Sequence, residues 1–205
     1  MRSPTATIKL GPRFNDAFLY AAAKHASQTR KRTGVPYISH LMAVAALVLE
    51  AGGDEDEAIA ALLHDVVEDC GGVPVLEEVR QRFGGRVAAI VQGCTDAYTI
   101  PKPEWNRRKL DYLDTLRRAG DEVRLVSAAD KLHNVRTILA DYRREGDAVW
   151  DRFNGHRDGT LWYYRAVLQV LQEGAPNPLI DELQRVVTEL ETLATTPRPR
   201  AGSLS

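Results

Sequence analysis

Apolar residues return at helical spacing along most of this chain. Phe14, Ala17, Phe18, Ala21 and Ala22 form a first stripe that ends near the basic cluster Arg30-Lys31-Arg32, where Thr33-Gly34-Val35-Pro36 breaks it. A second runs from Tyr37 to Glu50, with Ile38, Leu41, Val44, Ala45, Leu47 and Val48 inward and His40 close to its start. Gly52-Gly53 stops it. Asp54 to Glu57 has the form of a capping box, so the next helix begins there and runs to Cys70-Gly71-Gly72. At about 100° per residue, Ile59, Leu62, Leu63, Val66 and Val67 share one arc of about 140°, and His64, Asp65, Glu68 and Asp69 fill the opposite arc.

Further along, Pro74 opens a short helix carrying Leu76 and Val79, and Gly84-Gly85 separates it from the apolar run Val87 to Val91. Thr95 to Glu104 reads as a loop carrying Lys102, with short extended pieces near Ala97 to Ile100. Arg107 to Arg118 is helical through Leu110, Leu113 and Leu116. Glu122 to Tyr142 is long and strongly periodic: Leu125, Ala128, Leu132, Val135 and Leu139 face inward, and Asp130, His133, Asn134 and Thr137 collect on the other side. A short helix around Val149, Trp150 and Phe153 precedes a loop, Gly155 to Gly159, with His156 and Arg157. Two more helices follow, Leu161 to Leu171 and Leu179 to Leu193. Residues 1 to 12 read as a loose or partly docked arm and 196–205 as a disordered tail. The pattern predicts an all-α fold, a bundle of about eight to ten helices, with residues 1–195 as one domain.

Composition narrows the function classes. A chain of 205 residues with 44% hydrophobic and 27% charged residues has the profile of a soluble globular protein, and no apolar run is long enough to span a bilayer. The expectation is a cytoplasmic protein with no membrane partner. A net charge of -1 recruits no nucleic acid. Two cysteines, Cys70 and Cys94, without CxxC spacing, suggest neither a disulfide framework nor a cysteine zinc site. The charge is unevenly spread: between Asp16 and Glu50 there is no acid, yet Lys24, His25, Arg30, Lys31 and Arg32 fall in that window. An anion-facing patch and an ordinary basic loop both have this form.

Taken alone, the His64 to Asp69 stretch reads first as an acidic surface face, His40 as a core histidine and Asp130 as half of an ion pair. Together, two imidazoles and two carboxylates make a mixed nitrogen and oxygen set suited to Mn²⁺, Fe²⁺ or Zn²⁺. Glu68 and Asp69, one turn on, stand where one could orient a water and the other carry its proton.

Four strings decide between these readings: His25-Ala26-Ser27-Gln28-Thr29-Arg30-Lys31, Gly34-Val35-Pro36-Tyr37-Ile38-Ser39-His40, Ala61-Leu62-Leu63-His64-Asp65-Val66-Val67-Glu68-Asp69, and Ala129-Asp130-Lys131-Leu132-His133-Asn134-Val135-Arg136-Thr137. In that order, over roughly residues 14 to 175, they resemble the HD-superfamily hydrolase domain of the Rel/Spo-type alarmone enzymes, in particular the small alarmone hydrolases. The resemblance implies that His40, His64, Asp65 and Asp130 bind one metal, usually Mn²⁺. It implies hydrolysis of the 3′-pyrophosphate of guanosine tetra- or pentaphosphate, releasing pyrophosphate, with Glu68 and Asp69 as the catalytic pair. Arg30 and Lys31 match its basic pair beside the nucleotide, Asn134 and Thr137 match positions facing the ribose or base, and Lys131 supports that wall. Lys102 and Arg157 are loop cations within reach of a polyphosphate. His133 reads as a neighbour of the ligands or the substrate, and His25 and His156 as structural residues.

The chain departs from the family pattern at Ser127-Ala128-Ala129-Asp130, at Leu41 after His40, and by one extra residue in the Arg30-Lys31 loop. The resemblance implies that the altered loop and wall would meet the purine, so guanine and adenine alarmones both stay open, as does a nicotinamide dinucleotide phosphate. The length leaves no room for a synthetase domain. A catalytically silent nucleotide sensor or antitoxin-like binding protein is a reading of another class, set against by the Glu68 and Asp69 pair. Self-association into a homo-oligomer is left open.

Overall fold

In the computed structural model, which describes residues 9–31, 33–99 and 101–196, the chain is all-α. The helices are α1 (Pro12–Lys24), α2 (Ile38–Glu50), α3 (Glu55–Leu63), α4 (Val66–Cys70), α5 (Val73–Phe83), α6 (Gly85–Cys94), α7 (Trp105–Arg118), α8 (Asp121–Glu145), a 3-10 helix (Gly146–Arg152), α9 (His156–Gln172) and α10 (Pro178–Thr195). No helix among the described residues is long and apolar enough to cross a membrane. The expected arm lies largely, and the expected tail almost wholly, outside the described residues.

Two helices form the middle of the bundle. In α3 every residue from Glu57 to Leu63 is buried, because α1, α2, α6 and α8 pack around it. Its start is the expected capping box: the Glu57 N–H donates to Asp54 Oδ1 at 3.0 Å, and the Asp54 N–H donates to Glu57 Oε2 at 2.8 Å. The two reciprocal bonds satisfy donors that a buried helix end would otherwise leave orphaned. α8 is similarly enclosed by α2, α3, α6, α9 and α10, with all five of its expected inward residues buried.

Five expectations from the sequence are corrected. The central helix is not continuous: it breaks at His64-Asp65 into α3 and α4. The His64 ring bonds back to the Ala61 carbonyl at 2.7 Å, and Asp65 adopts φ -101°, ψ -7°, so the turn re-aims the acids that follow. α1 ends at Lys24, six residues before Arg30, and the intervening segment turns back through an antiparallel bridge between Thr29 and Pro36. Leu110 is 51% exposed, since α7 packs through Tyr112, Leu113 and Leu116 instead. The expected Gly155 to Gly159 loop is in fact the first turn of α9. No extended piece is formed over Ala97 to Thr99, and Ile100 lies outside the described residues.

One glycine fixes a close approach near the site. Gly72, after α4, has φ +67°, and a Cβ there would stand 2.4 Å from the Tyr98 carbonyl oxygen. Only a residue without a side chain lets the two backbones pass.

Candidate metal centre and nucleotide pocket

The first turn of α2, the α3–α4 break and the middle of α8 meet at one point. His40 Nε2 lies 3.3 Å from Asp130 Oδ1 and 3.6 Å from Asp65 Oδ2, while His64 Nε2 lies 3.1 Å from Asp65 Oδ2 and 3.7 Å from Asp130 Oδ1. Both His40 Nε2 and His64 Nε2 are buried and have no hydrogen-bond partner. Buried polar atoms are normally satisfied, so a matched pair of orphans facing two carboxylates fits a cation-binding site. Donor atoms each about 2.1 Å from one ion stand about 3.0 to 3.4 Å apart at octahedral or tetrahedral angles. The observed separations, 3.1 to 3.7 Å, overlap that range and extend a little above it. His40, His64 and Asp65 form a group that could hold a divalent metal ion, and Asp130 Oδ1 lies 3.3 Å from His40 Nε2 beside them.

The surroundings orient these donors. Hydrogen bonding of His64 Nδ1 to the Ala61 carbonyl requires the proton on Nδ1 and turns Nε2 towards Asp65 and Asp130. His40 Nδ1 bonds to His133 Nδ1 at 2.8 Å. His133 therefore adjoins one of the candidate ligands, and burial together with the nearby His40 and Arg30 push its pKa down to about 4. A neutral His133 can accept the His40 proton. Tyr37 donates its hydroxyl to Asp65 Oδ2 at 2.5 Å, and burial and Asp65 hold that phenol protonated. Asp130 accepts from Lys131 Nζ and Asn134 Nδ2, each at 2.5 Å. Burial opposes ionisation of Asp65 and Asp130, yet His64 beside the first and Lys131 beside the second keep both carboxyls well below the usual range.

Glu68 and Asp69 lie on the short α4, one turn beyond Asp65, and Lys102 clamps them. Its Nζ is 2.7 Å from Glu68 Oε1 and 2.9 Å from Asp69 Oδ1. Burial, then Asp96 and Asp65, raise the Glu68 carboxyl to about 7. Asp96 is itself held ionised, against its burial, by Lys109 and Arg108, whose nitrogens approach it to 2.6 Å.

Beside these acids is a cavity of about 370 Å³. Of the residues the sequence assigned to substrate, Arg30, Lys31, Lys102, Lys131, Asn134 and Thr137 line it. Asn134 links its two sides, accepting from Arg30 Nη2 at 2.8 Å while donating to Asp130. Arg157 is not brought there: exposed on the first turn of α9, it pairs with Asp158 at 2.8 Å. Sequence reasoning missed Arg108, Lys109 and Arg152, which bring further positive charge to the lining, and the aromatic walls Trp105, Tyr163 and Tyr164. It also missed Asp96. The Arg107-Arg108-Lys109 run was a visible signal, whereas nothing local distinguished Arg152 from the ion pairs of the surface.

The HD domain family matches residues 17–161. The zebrafish (Danio rerio) guanosine-3′,5′-bis(diphosphate) 3′-pyrophosphohydrolase MESH1 is 39% identical over 122 residues, which are 58% of this chain and 65% of that protein. The guanosine-3′,5′-bis(diphosphate) 3′-pyrophosphohydrolase of Aquifex aeolicus is 42% identical over 127 residues, 60% of this chain and 17% of that one. The chain thus spans about two thirds or less of these relatives. Among solved structures, one described as a metazoan ortholog of SpoT that hydrolyzes ppGpp superposes with a TM-score of 0.75 at 29% identity, covering 90% of this chain and 98% of that one. A Listeria monocytogenes protein superposes at a TM-score of 0.67 and 29% identity, over 75% of this chain and 99% of its own. With most of its length matched by that family and its paired histidines and aspartates gathered at one point, the chain belongs to the HD domain family.

Proposed function

We propose that this chain hydrolyses the 3′-pyrophosphate of guanosine 3′,5′-bis(diphosphate) and its pentaphosphate, releasing pyrophosphate and GDP or GTP, with Mn²⁺ as the resident metal. We read residues up to 195 as a single hydrolase unit. The observation that carries the reading is the pair of unpartnered His40 and His64 Nε2 atoms facing Asp65 and Asp130 at the edge of a cation-rich cavity. The names of the relatives and of the superposing structure supply the substrate.

His40, His64, Asp65 and Asp130 would hold the ion, which when bound supplies Lewis acidity at the phosphoryl group and brings water towards ionisation at neutral pH. Everything else falls to the side chains. Lys102, Lys109, Arg108 and Lys131 line the space a pyrophosphate would enter and would offset the negative charge on its oxygens as water attacks. Arg30 and Lys31 face the nucleotide, and Asn134 and Thr137 the sugar side. Water attacks the phosphorus attached to the ribose 3′ oxygen, that P–O bond breaks, and the 3′ oxygen leaves with a proton. Asp69 orients the water. Glu68, with a carboxyl near 7, exchanges protons with the reacting oxygens at physiological pH.

The test incubates the purified full chain and Mn²⁺ with guanosine 3′,5′-bis(diphosphate), its adenosine counterpart and NADPH, and identifies the products. Pyrophosphate with GDP is the expected outcome. Faster adenosine turnover would reassign the base, orthophosphate released chiefly from NADPH would reassign the reaction, and three intact substrates would favour a silent binding protein.

A further inference from the structure

The segment between α1 and α2 contributes more than Arg30 and Lys31. His25 caps α1, is 2% exposed, and its Nδ1 lies 2.6 Å from Gln28 Oε1. An amide oxygen only accepts, so the ring nitrogen must donate, and the Gln28 amide is fixed with its NH₂ group turned the other way. That group donates to Asp69 Oδ2 at 2.9 Å. Asp69 is therefore gripped at both oxygens, by Gln28 on one side and Lys102 on the other. The same His25 ring stacks on Tyr37, with centroids 5.1 Å apart and planes at 24°, and Tyr37 donates to Asp65. The segment is closed on itself by the Tyr37 N–H bond to the Gln28 carbonyl at 2.9 Å. One buried imidazole thus reaches Asp69 through an amide and Asp65 through a phenol.

We propose that His25 and Gln28 are positioning residues for hydrolysis: Gln28 sets the orientation of the Asp69 carboxylate, and His25 sets the orientation of Gln28. The assignment rests on the hydrolase reading above, in which Asp69 orients water. Its physical content is directional. Without the His25 donor the amide is free to turn its oxygen towards Asp69, replacing an attraction by a repulsion and letting the carboxylate rotate. Both residues come from the segment that carries Arg30 and Lys31, so the support of Asp69 and these two cations share one stretch of chain. Neither touches the reacting atoms.

The test uses the full chain with Mn²⁺ and guanosine 3′,5′-bis(diphosphate). Gln28→Leu is expected to lower kcat about 10- to 100-fold, the usual effect of losing a partner that orients a site residue, with Mn²⁺ binding retained and KM within about twofold. His25→Phe keeps a ring against Tyr37 but removes the donor, and is expected to lose kcat similarly. Gln28→Glu keeps the shape and sets an acceptor against Asp69. Its deficit relative to wild type should shrink as the pH falls from about 8 to about 6, where the introduced carboxyl, raised by its acidic neighbour, regains a proton to donate. A merely structural role would give no such recovery. Values of kcat within about twofold of wild type for both Gln28 variants, or a Gln28→Glu deficit flat with pH, would overturn the proposal. A Gln28→Leu chain that fails to fold leaves the Gln28→Glu profile to decide. A crystal structure of Gln28→Leu gives a readout independent of turnover: Asp69 should leave its present orientation, and an unmoved carboxylate overturns the proposal. A wild-type chain that leaves the nucleotide intact overturns the hydrolase reading instead.

Discussion

Glu68→Gln should make the protein more stable and nearly inactive at once. In the folded chain the Glu68 carboxyl is raised from 4.5 to about 7 by burial, Asp96 and Asp65. Between those values the folded state binds more protons than the unfolded state, so this residue's contribution to stability falls as the pH rises through that window and is at its worst above it. At about 1.4 kcal/mol per decade of proton affinity, the interval from 4.5 to about 7 corresponds to about 3 kcal/mol. The side chain retains 19% exposure, and a neutral amide accepts a weaker bond from Lys102, so the net gain from glutamine at pH 8 is about 1 to 2 kcal/mol. For a chain of this size that is a rise in Tm of about 3 to 6 °C. The assay is thermal unfolding of both proteins in chelator at about pH 8 and pH 5, beside kcat with Mn²⁺. The stabilisation should shrink to a small fraction at the lower pH, kcat should fall at least about 100-fold, and Mn²⁺ affinity should be unchanged. Equal Tm values at the higher pH, an advantage that persists unchanged at the lower, or normal turnover would refute the reasoning.

Three further outcomes are expected. Asp65→Ala should abolish both Mn²⁺ binding by calorimetry and pyrophosphate release, since it removes the donor that faces both imidazoles. Arg30→Ala should chiefly raise KM, by about tenfold with kcat little changed, because Arg30 lines the cavity and meets the acids beyond it indirectly, through Asn134 and the Tyr37 ring; an unchanged KM takes it out of the pocket. Lys131→Met strips Asp130 of a mostly buried counter-charge and should cost about 3 kcal/mol in chelator. Thermal unfolding with Mn²⁺ should show a smaller loss, because the ion would compensate Asp130 in its place.

Helix number, the capping box at Asp54 and the inward faces of α2 and α8 were legible because each depends on spacing within a single element. The convergence of His40, His64, Asp65 and Asp130 was legible for a different reason: two of them are adjacent, and His40 and Asp130 stand in recognisable strings. What periodicity could not show was the break at His64-Asp65, where the side chain competes with the backbone for the Ala61 carbonyl and no glycine or proline marks the spot. Nor could it place loop cations. Lys102 and Arg157 look alike in sequence, yet the first is drawn in by two acids and the second is held outside by Asp158. Asp96, on an irregular segment without period, acquires its part only when α7 brings Arg108 and Lys109 against it.

The contact at Gly72 bears on how this site tolerates change. Because bare backbone at Gly72 rests against the Tyr98 carbonyl, the end of α4 and the segment leading to Lys102 share a common datum, and the lysine's reach to Glu68 and Asp69 is measured from it. A methyl group added there would wedge the two strands of chain apart and shift that lever at its root, without altering any group that handles the nucleotide. Inherited variation at such a hinge point would surface as a fault in chemistry whose cause lies in the scaffolding.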